Sequence, residues 1–233
     1  AFCDTCRPSI DFAFADVPLT VAVPTYIWIA AGAYTQATSG LNIAGKAVTG
    51  ANRLWIGARC AAGARDAVTV SKISDAGVNQ YVLIINMPSV TLEGLRIDVG
   101  ADTTAHGIVV AGRGDNIILR DLSMTSAVAT AVAGYDYLRC DGLVGGAFNA
   151  DNLLVEDVEV YDDDATTLAT GMSFSFCPAF TVRRSAVCRL QTATGADIGF
   201  LVGSNGGANV FDRVLARQVK RGFDTNLAAS GGS

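Results

Sequence analysis

Residues 106–124 read HGIVVAGRGDNIILRDLSM: a polar residue, a glycine, an apolar run, a turn of Gly, Asp and Asn, then alternating apolar residues. The same order returns in DGLVGGAFNADNLLVEDVEV at 141–160 and in TGMSFSFCPAFTVRRSAV at 170–187. SVTLEGLRI at 89–97 matches the second half of each. Aligned, Val90, Ile117, Leu153 and Phe180 make one column, and Leu92, Leu119, Val155 and Val182 a second. Leu95, Leu122, Val158 and Ser185 make a third, and Ile97, Met124, Val160 and Val187 a fourth. The first column runs 90, 117, 153, 180, in steps of 27, 36 and 27 residues. A period of this size marks a solenoid, whose units bury their apolar faces only by stacking.

Apolar residues alternate within each unit, the period of a strand. In NLLVEDVEV (152–160) Leu153 and Val155, then Val158 and Val160, share one side with a bend between the pairs. A unit of about 27 residues suits three short strands and three turns, one coil of a parallel β-helix. Leucine-rich repeats have that length, but their fixed Leu and Asn pattern is missing. The step of 36 gives one coil about nine extra residues (36 less 27), placed around TSAVATAVAGYDYLR (125–139) ahead of Gly142. Glycines 107, 142, 171, 199 and 222 each precede a large apolar residue. They imply a corner where φ is positive or where the chain above sits close.

The N-terminal third carries YIWIAAGAYTQATSGLNIAGKAVTG and then NRLWIGARC. Its Ala31, Gly32, Tyr34, Gly45, Lys46, Gly50, Ile56 and Gly57 resemble the opening of right-handed β-helix proteins of the pectate-lyase-like superfamily. The later coils, through NVFDRVLAR, resemble the middle of the same superfamily, so the likeness spans roughly residues 22 to 226. It implies an all-β fold, a right-handed single-stranded parallel β-helix of about seven coils. It does not imply one function, because the superfamily holds lyases, hydrolases, phage tailspikes, adhesins and structural parts.

Three regions are expected: an N-terminal segment or cap at 1–21, the β-helix at 22–226, and a Gly/Ser tail or the start of a continuation at 227–233. No amphipathic helix is read anywhere; RPSIDFAFADVPLTVAV is expected to cover the first coil as a strand. The C-terminal GFDTNLAASGGS offers little to cover the last coil, whose sheet edge and core then need a partner. The chain begins with Ala, so a processed or excised product is expected.

Half of the chain is hydrophobic and only 17% is charged, against roughly a quarter in soluble domains. Low charge leaves neutral surface suited to association. The net charge of −5, with scattered Lys and Arg, argues against nucleic acid, whose binding needs clustered cations. No apolar run reaches the roughly 18–20 residues of a membrane span. Of six cysteines, Cys3 and Cys6 form a lone C-x-x-C, without the second pair of a zinc site or the βαβ setting of a redox motif. Cys3, Cys6, Cys60, Cys140, Cys177 and Cys188 are therefore disulfide candidates in an oxidising compartment, with buried thiols as the competing reading.

Stacking in register makes His106 and Asp141 neighbours, a base and an orienting carboxylate, with Arg221 in the same column; a solvated polar ladder gives the same pattern. Asp162, Asp163 and Asp164 supply oxygens suited to Ca²⁺, which the resemblance associates with lyases; a solvated acidic loop is the plainer reading. No other cofactor is expected. The hydrolase branch of the superfamily implies paired Asp, Gly-His-Gly and Arg-x-Lys; here only Ala105-His106-Gly107 stands near that pattern. Arg113-Gly114-Asp115 is read as turn chemistry rather than an adhesion tripeptide. Trp28, Trp55 and the tyrosines read as too far apart for a carbohydrate platform. The exception is Tyr135, Asp136, Tyr137 and Arg139, a candidate contact patch for glycan or a neighbouring subunit, or a loop folded back on its coil.

These features point first to a non-catalytic building block of an extracellular filament or of a cell or virion surface. It would associate with itself or with other surface proteins through its ends or faces. The alternatives are a polysaccharide lyase or hydrolase of the superfamily, and a glycan-binding tailspike or adhesin module.

Overall fold

The structure is a computed structural model describing residues 7, 9–36, 40–58, 68–72, 81–99, 106–125, 135–141, 150–161, 169–175, 177–188, 198–203 and 208–225. All pairings among its strands are parallel. One sheet has seven strands: Leu41–Ala44, Tyr81–Asn86, His106–Ala111, Tyr135–Asp141, Ala169–Ser175, Ile198–Val202 and Arg221–Thr225. A twelve-stranded sheet runs in two branches that meet in the long strands Ile118–Thr125 and Asp151–Tyr161. Each coil contributes one strand to the first sheet and one to each branch of the second, which is a parallel β-helix.

The four expected columns hold in the pairing. Leu92 lies opposite Leu119, Leu119 opposite Val155, and Val155 opposite Val182. Ile97, Met124, Val160 and Val187 stack likewise, and nearly all of these side chains are fully buried. The bend between the pairs is a residue in the left-handed region: Gly94, Asp121, Asp157, Arg184 and Arg213, with φ of 69°, 51°, 54°, 48° and 52°. Ser185, the one polar member of the columns, accepts from the Val158 N–H at 3.2 Å and donates to the Arg183 carbonyl, so its burial leaves no hydroxyl unmet.

The glycine ladder needs one correction. Its second member is Tyr137, not Gly142, because Leu138 lies opposite both Ile108 and Met172. Of the two expected causes close approach is the one that holds, since Gly107, Gly171, Gly199 and Gly222 show no positive φ. A Cβ on Gly107 would run into the Tyr137 carbonyl; on Gly171 and Gly199 it would lie 2.7 Å from the carbonyls of Gly199 and Gly222. At this corner two consecutive residues are buried, as in Val82-Leu83 and Tyr137-Leu138. Strict alternation is broken there, and the residues on either side face out.

The insertion is also relocated. Tyr135–Asp141 is a strand of the seven-stranded sheet, bonded to both neighbouring coils. Most of the extra length follows it, in 142–149, outside the described residues.

A helix, Ile10–Ala15, stands where no helix was expected. Ser9 caps it by accepting from the Phe12 N–H, and Ile10 and Phe14, four apart, bury one face. One apolar pair in a six-residue helix was too short a pattern to register as periodic. Lys46 fastens it, donating to the Val17 carbonyl at 2.7 Å with its ammonium 5.3 Å from the centre of the Phe14 ring. Gly45 and Gly50 beside that lysine have φ of 77° and 62°, which accounts for part of the G-K-x-x-x-G stretch. The far coil is barer: Val210, Leu215 and Phe223 are about half exposed. No helix among the described residues is long and apolar enough to cross a membrane.

Candidate functional site

Strands His106–Ala111, Tyr135–Asp141 and Ala169–Ser175 lie side by side, and their outward residues converge. His106 falls opposite Asp136, two steps before the Ile108–Leu138 pair, and Asp136 lies opposite Thr170. The expected His106–Asp141 pairing is thus corrected: Asp141 lies opposite Ala111. Arg139 joins the two instead. Its Nε and Nη2 donate to Asp141 Oδ2 at 3.1 and 2.5 Å, and its Nη1 lies 3.2 Å from His106 Nε2.

The tautomer of His106 follows from its contacts. The Asp136 backbone N–H donates to Nδ1 at 2.9 Å, so Nδ1 carries no proton. Burial, and then the charge of Arg139, push the ring's pKa down to about 4. At neutral pH the ring is uncharged with its proton on Nε2. Nε2 and the Arg139 Nη1 are then two donors side by side. Two donors side by side have the chemistry to hold one oxygen acceptor in common.

Asp136 sits beside them, its Oδ2 3.6 Å from Nδ1. Burial raises its carboxyl to about 6, against the smaller opposing effects of Arg139 and a hydrogen bond with Thr170. The cluster therefore holds one carboxyl that keeps its proton to unusual pH and one carboxylate fixed by a guanidinium.

Other expected site residues lie elsewhere. Arg221 shares the His106 column but is four strands away, about 19 Å at the usual strand spacing, and pairs with Asp224. Tyr137 is fully buried, so it is no contact residue, and Asp136 and Arg139 belong to the cluster rather than to a loop. Tyr135 lies opposite Ala169. Asp162, Asp163 and Asp164 lie outside the described residues, as do Cys3, Cys6 and Cys60; among the described residues no acidic, His or Cys group is arranged to hold a metal. None of Cys140, Cys177 and Cys188 is in a disulfide. Burial and a hydrogen bond with Cys177 raise the Cys140 thiol, and the Cys177 thiol donates to the Ala150 carbonyl. Arg113-Gly114-Asp115 forms a turn with Gly114 buried, as its turn chemistry implied.

No family model and no curated protein matches this chain. Solved structures do. A pectin methylesterase in complex with a hexasaccharide matches with a TM-score of 0.57 at 15% identity, over 92% of this chain and 63% of its own. A pectin methylesterase from Yersinia enterocolitica matches at 0.40 and 11% identity, over 96% and 95%; an alginate lyase from a Paenibacillus species at 0.39 and 13%, over 89% and 99%. The chain thus spans less than two thirds of the first of these. The first likeness bears out the fold alone, a parallel β-helix. It also corrects the expectation of a non-catalytic building block: the similar pectin methylesterase is, by its name, an enzyme.

Proposed function

We propose that this chain is a polysaccharide-active hydrolase that cleaves an ester at a carboxyl group of an acidic polysaccharide, at the outer face of the seven-stranded sheet. The observation that carries this is the donor pair of His106 Nε2 and Arg139 Nη1, 3.2 Å apart beside two unlike carboxyls. The similar pectin methylesterase, by its name, acts on such an ester.

The ester carbonyl oxygen takes the position between the donors, which strengthen their hold as it becomes an oxyanion. Asp141, ion-paired with Arg139, takes a proton from a water whose oxygen attacks the carbonyl carbon. The acyl–oxygen bond breaks, and Asp136 protonates the departing alkoxide. One ester and one water become one carboxylic acid and one alcohol, and Asp136 recovers the proton held by Asp141 through solvent.

The test is alcohol release from a methyl-esterified polyuronate, run beside the fully de-esterified polymer. Methanol from the first, lost in Asp136→Asn, supports the proposal. Chain cleavage of the de-esterified polymer with a new conjugated double bond would replace it with a lyase. No reaction with either, by a protein that folds, would overturn it.

A further inference from the structure

The first two coils carry a second feature, on the outer face of the other sheet. Strand Thr25–Ile29 pairs with Leu54–Ala58 so that Tyr26 lies opposite Trp55 and Trp28 opposite Gly57. These residues, expected to lie apart, form one group. Tyr26 stacks on Trp55 at 4.8 Å between ring centres and 14° between planes, and on Trp28 at 5.7 Å and 11°. Tyr26 is 50% exposed and Trp28 46%. Gly57 leaves no side chain opposite Trp28, and a Cβ there would meet the Glu93 carbonyl at 2.8 Å.

Large aromatic rings cost free energy when left in water. Here three are held parallel by their strands, so little conformational freedom remains to be lost on binding. Aromatic side chains bury about 150–250 Å² each, so two half-exposed rings and a less exposed Trp55 offer on the order of 200 Å². That falls well short of the roughly 800 Å² per partner of a stable protein interface. It suits one or two sugar rings, whose electron-poor axial C–H groups meet the negative face of an aromatic ring.

We infer that Tyr26, Trp28 and Trp55 form a carbohydrate-binding platform, separate from the His106 cluster, that anchors pyranose units of a polysaccharide. Its ligand class rests on the polysaccharide reading above; its geometry does not. A chain held at this platform raises the local substrate concentration at the catalytic face, so the gain falls on long polymers and not on short ones.

The experiment measures retardation of the full chain in native gels containing polyuronates or neutral β-linked glucans and galactans, for wild type, Trp28→Ala and Asp136→Asn. We expect retardation by at least one polymer, reduced about tenfold or more in Trp28→Ala, and kept in Asp136→Asn. Trp28→Ala should retain its activity on short esterified oligosaccharides and its circular dichroism spectrum. A second variant, Tyr26→Ala, should repeat the loss. Equal retardation of wild type and Trp28→Ala would overturn the platform. So would a wild-type dimer in sedimentation that Trp28→Ala dissolves, since the rings would then serve a second copy. Retardation lost in Trp28→Ala with no ester hydrolysis by wild type would sink the catalytic reading and leave the platform standing.

Discussion

Two outer faces of this β-helix use the same residue types to opposite ends. On one branch of the twelve-stranded sheet, Glu93, Arg120, Glu156, Arg183 and Asp212 stack in register, one per coil. Arg120 pairs with Glu93, Arg183 and Arg184 with Glu156, and Arg184 also with Asp157. Each charge there meets its opposite, and the hydrogen bonds from the two arginines hold Glu156 below the usual carboxylate range. On the seven-stranded sheet, the His, Asp and Arg groups leave two donors facing each other and a carboxyl raised to about 6. Alternating sign in register yields a zipper; a break in that alternation, together with burial, yields groups held away from their ordinary protonation.

The largest expected effect falls on the second face. Asp136→Asn should lower kcat for ester hydrolysis by about 10²–10⁴, the usual contribution of a positioned proton donor, with the fold intact by circular dichroism. Arg139→Met should cost about 10²–10³ in kcat/KM, as for loss of an oxyanion donor, and an Arg139→Lys protein should recover little because one ammonium cannot serve Asp141 and the carbonyl oxygen together. An unchanged rate in either would make this face another zipper.

The pH dependence sharpens the same contrast. Activity needs His106 neutral and Asp136 protonated, so kcat/KM should rise through about pH 4 and fall through about pH 6. Stability carries the signs separately. His106, with its pKa below the 6.5 of the unfolded chain, makes the protein more stable as pH rises through that window. Asp136, with its pKa above 3.8, makes it less stable as pH rises from there to about 6. The two slopes oppose in wild type. Denaturant titrations of His106→Gln should expose the falling slope, and those of Asp136→Asn the rising one.

The zipper predicts smaller effects with no change in activity. Glu156→Gln removes the charge that two arginines share and should cost about 1–2 kcal/mol, read as a lowered Tm. Arg213→Ala, at an exposed pair with Asp212, should cost less than about 1 kcal/mol and shift nothing measurable at high salt.

The columns Leu92 to Val182 and Ile97 to Val187 were legible because each coil repeats an alternation that only one register satisfies. The His106 cluster was half legible. His106, Thr170, Ile198 and Arg221 do share a column, but the coil between was misaligned by five residues, Asp141 for Asp136. The cause is Tyr137. It occupies a corner that glycine holds in the four later or earlier coils, so alignment on glycine slid to Gly142. A search for two consecutive buried residues, as in Tyr137-Leu138, would have found the corner. Tyr26 and Trp55 were missed for a related reason. They are 29 residues apart in sequence (55 less 26), which is one coil, so the repeat itself stacks them. The Ser9-capped helix carried a legible start signal but one apolar pair, too few for a period to show.

The most direct test of the central claim uses the fact that His106 is the only histidine in the chain. Nitrogen-15 NMR of the imidazole, followed across pH, reports its tautomer and pKa without interference. We predict a single neutral form protonated at Nε2, titrating near pH 4, whose Nε2–H signal shifts when a polyuronate oligosaccharide is added. A ring protonated at Nδ1 would mean that Nε2 accepts from Arg139, and one titrating near its ordinary 6.5 would mean that burial does not keep it neutral. The donor pair, and the reaction built on it, would then be wrong.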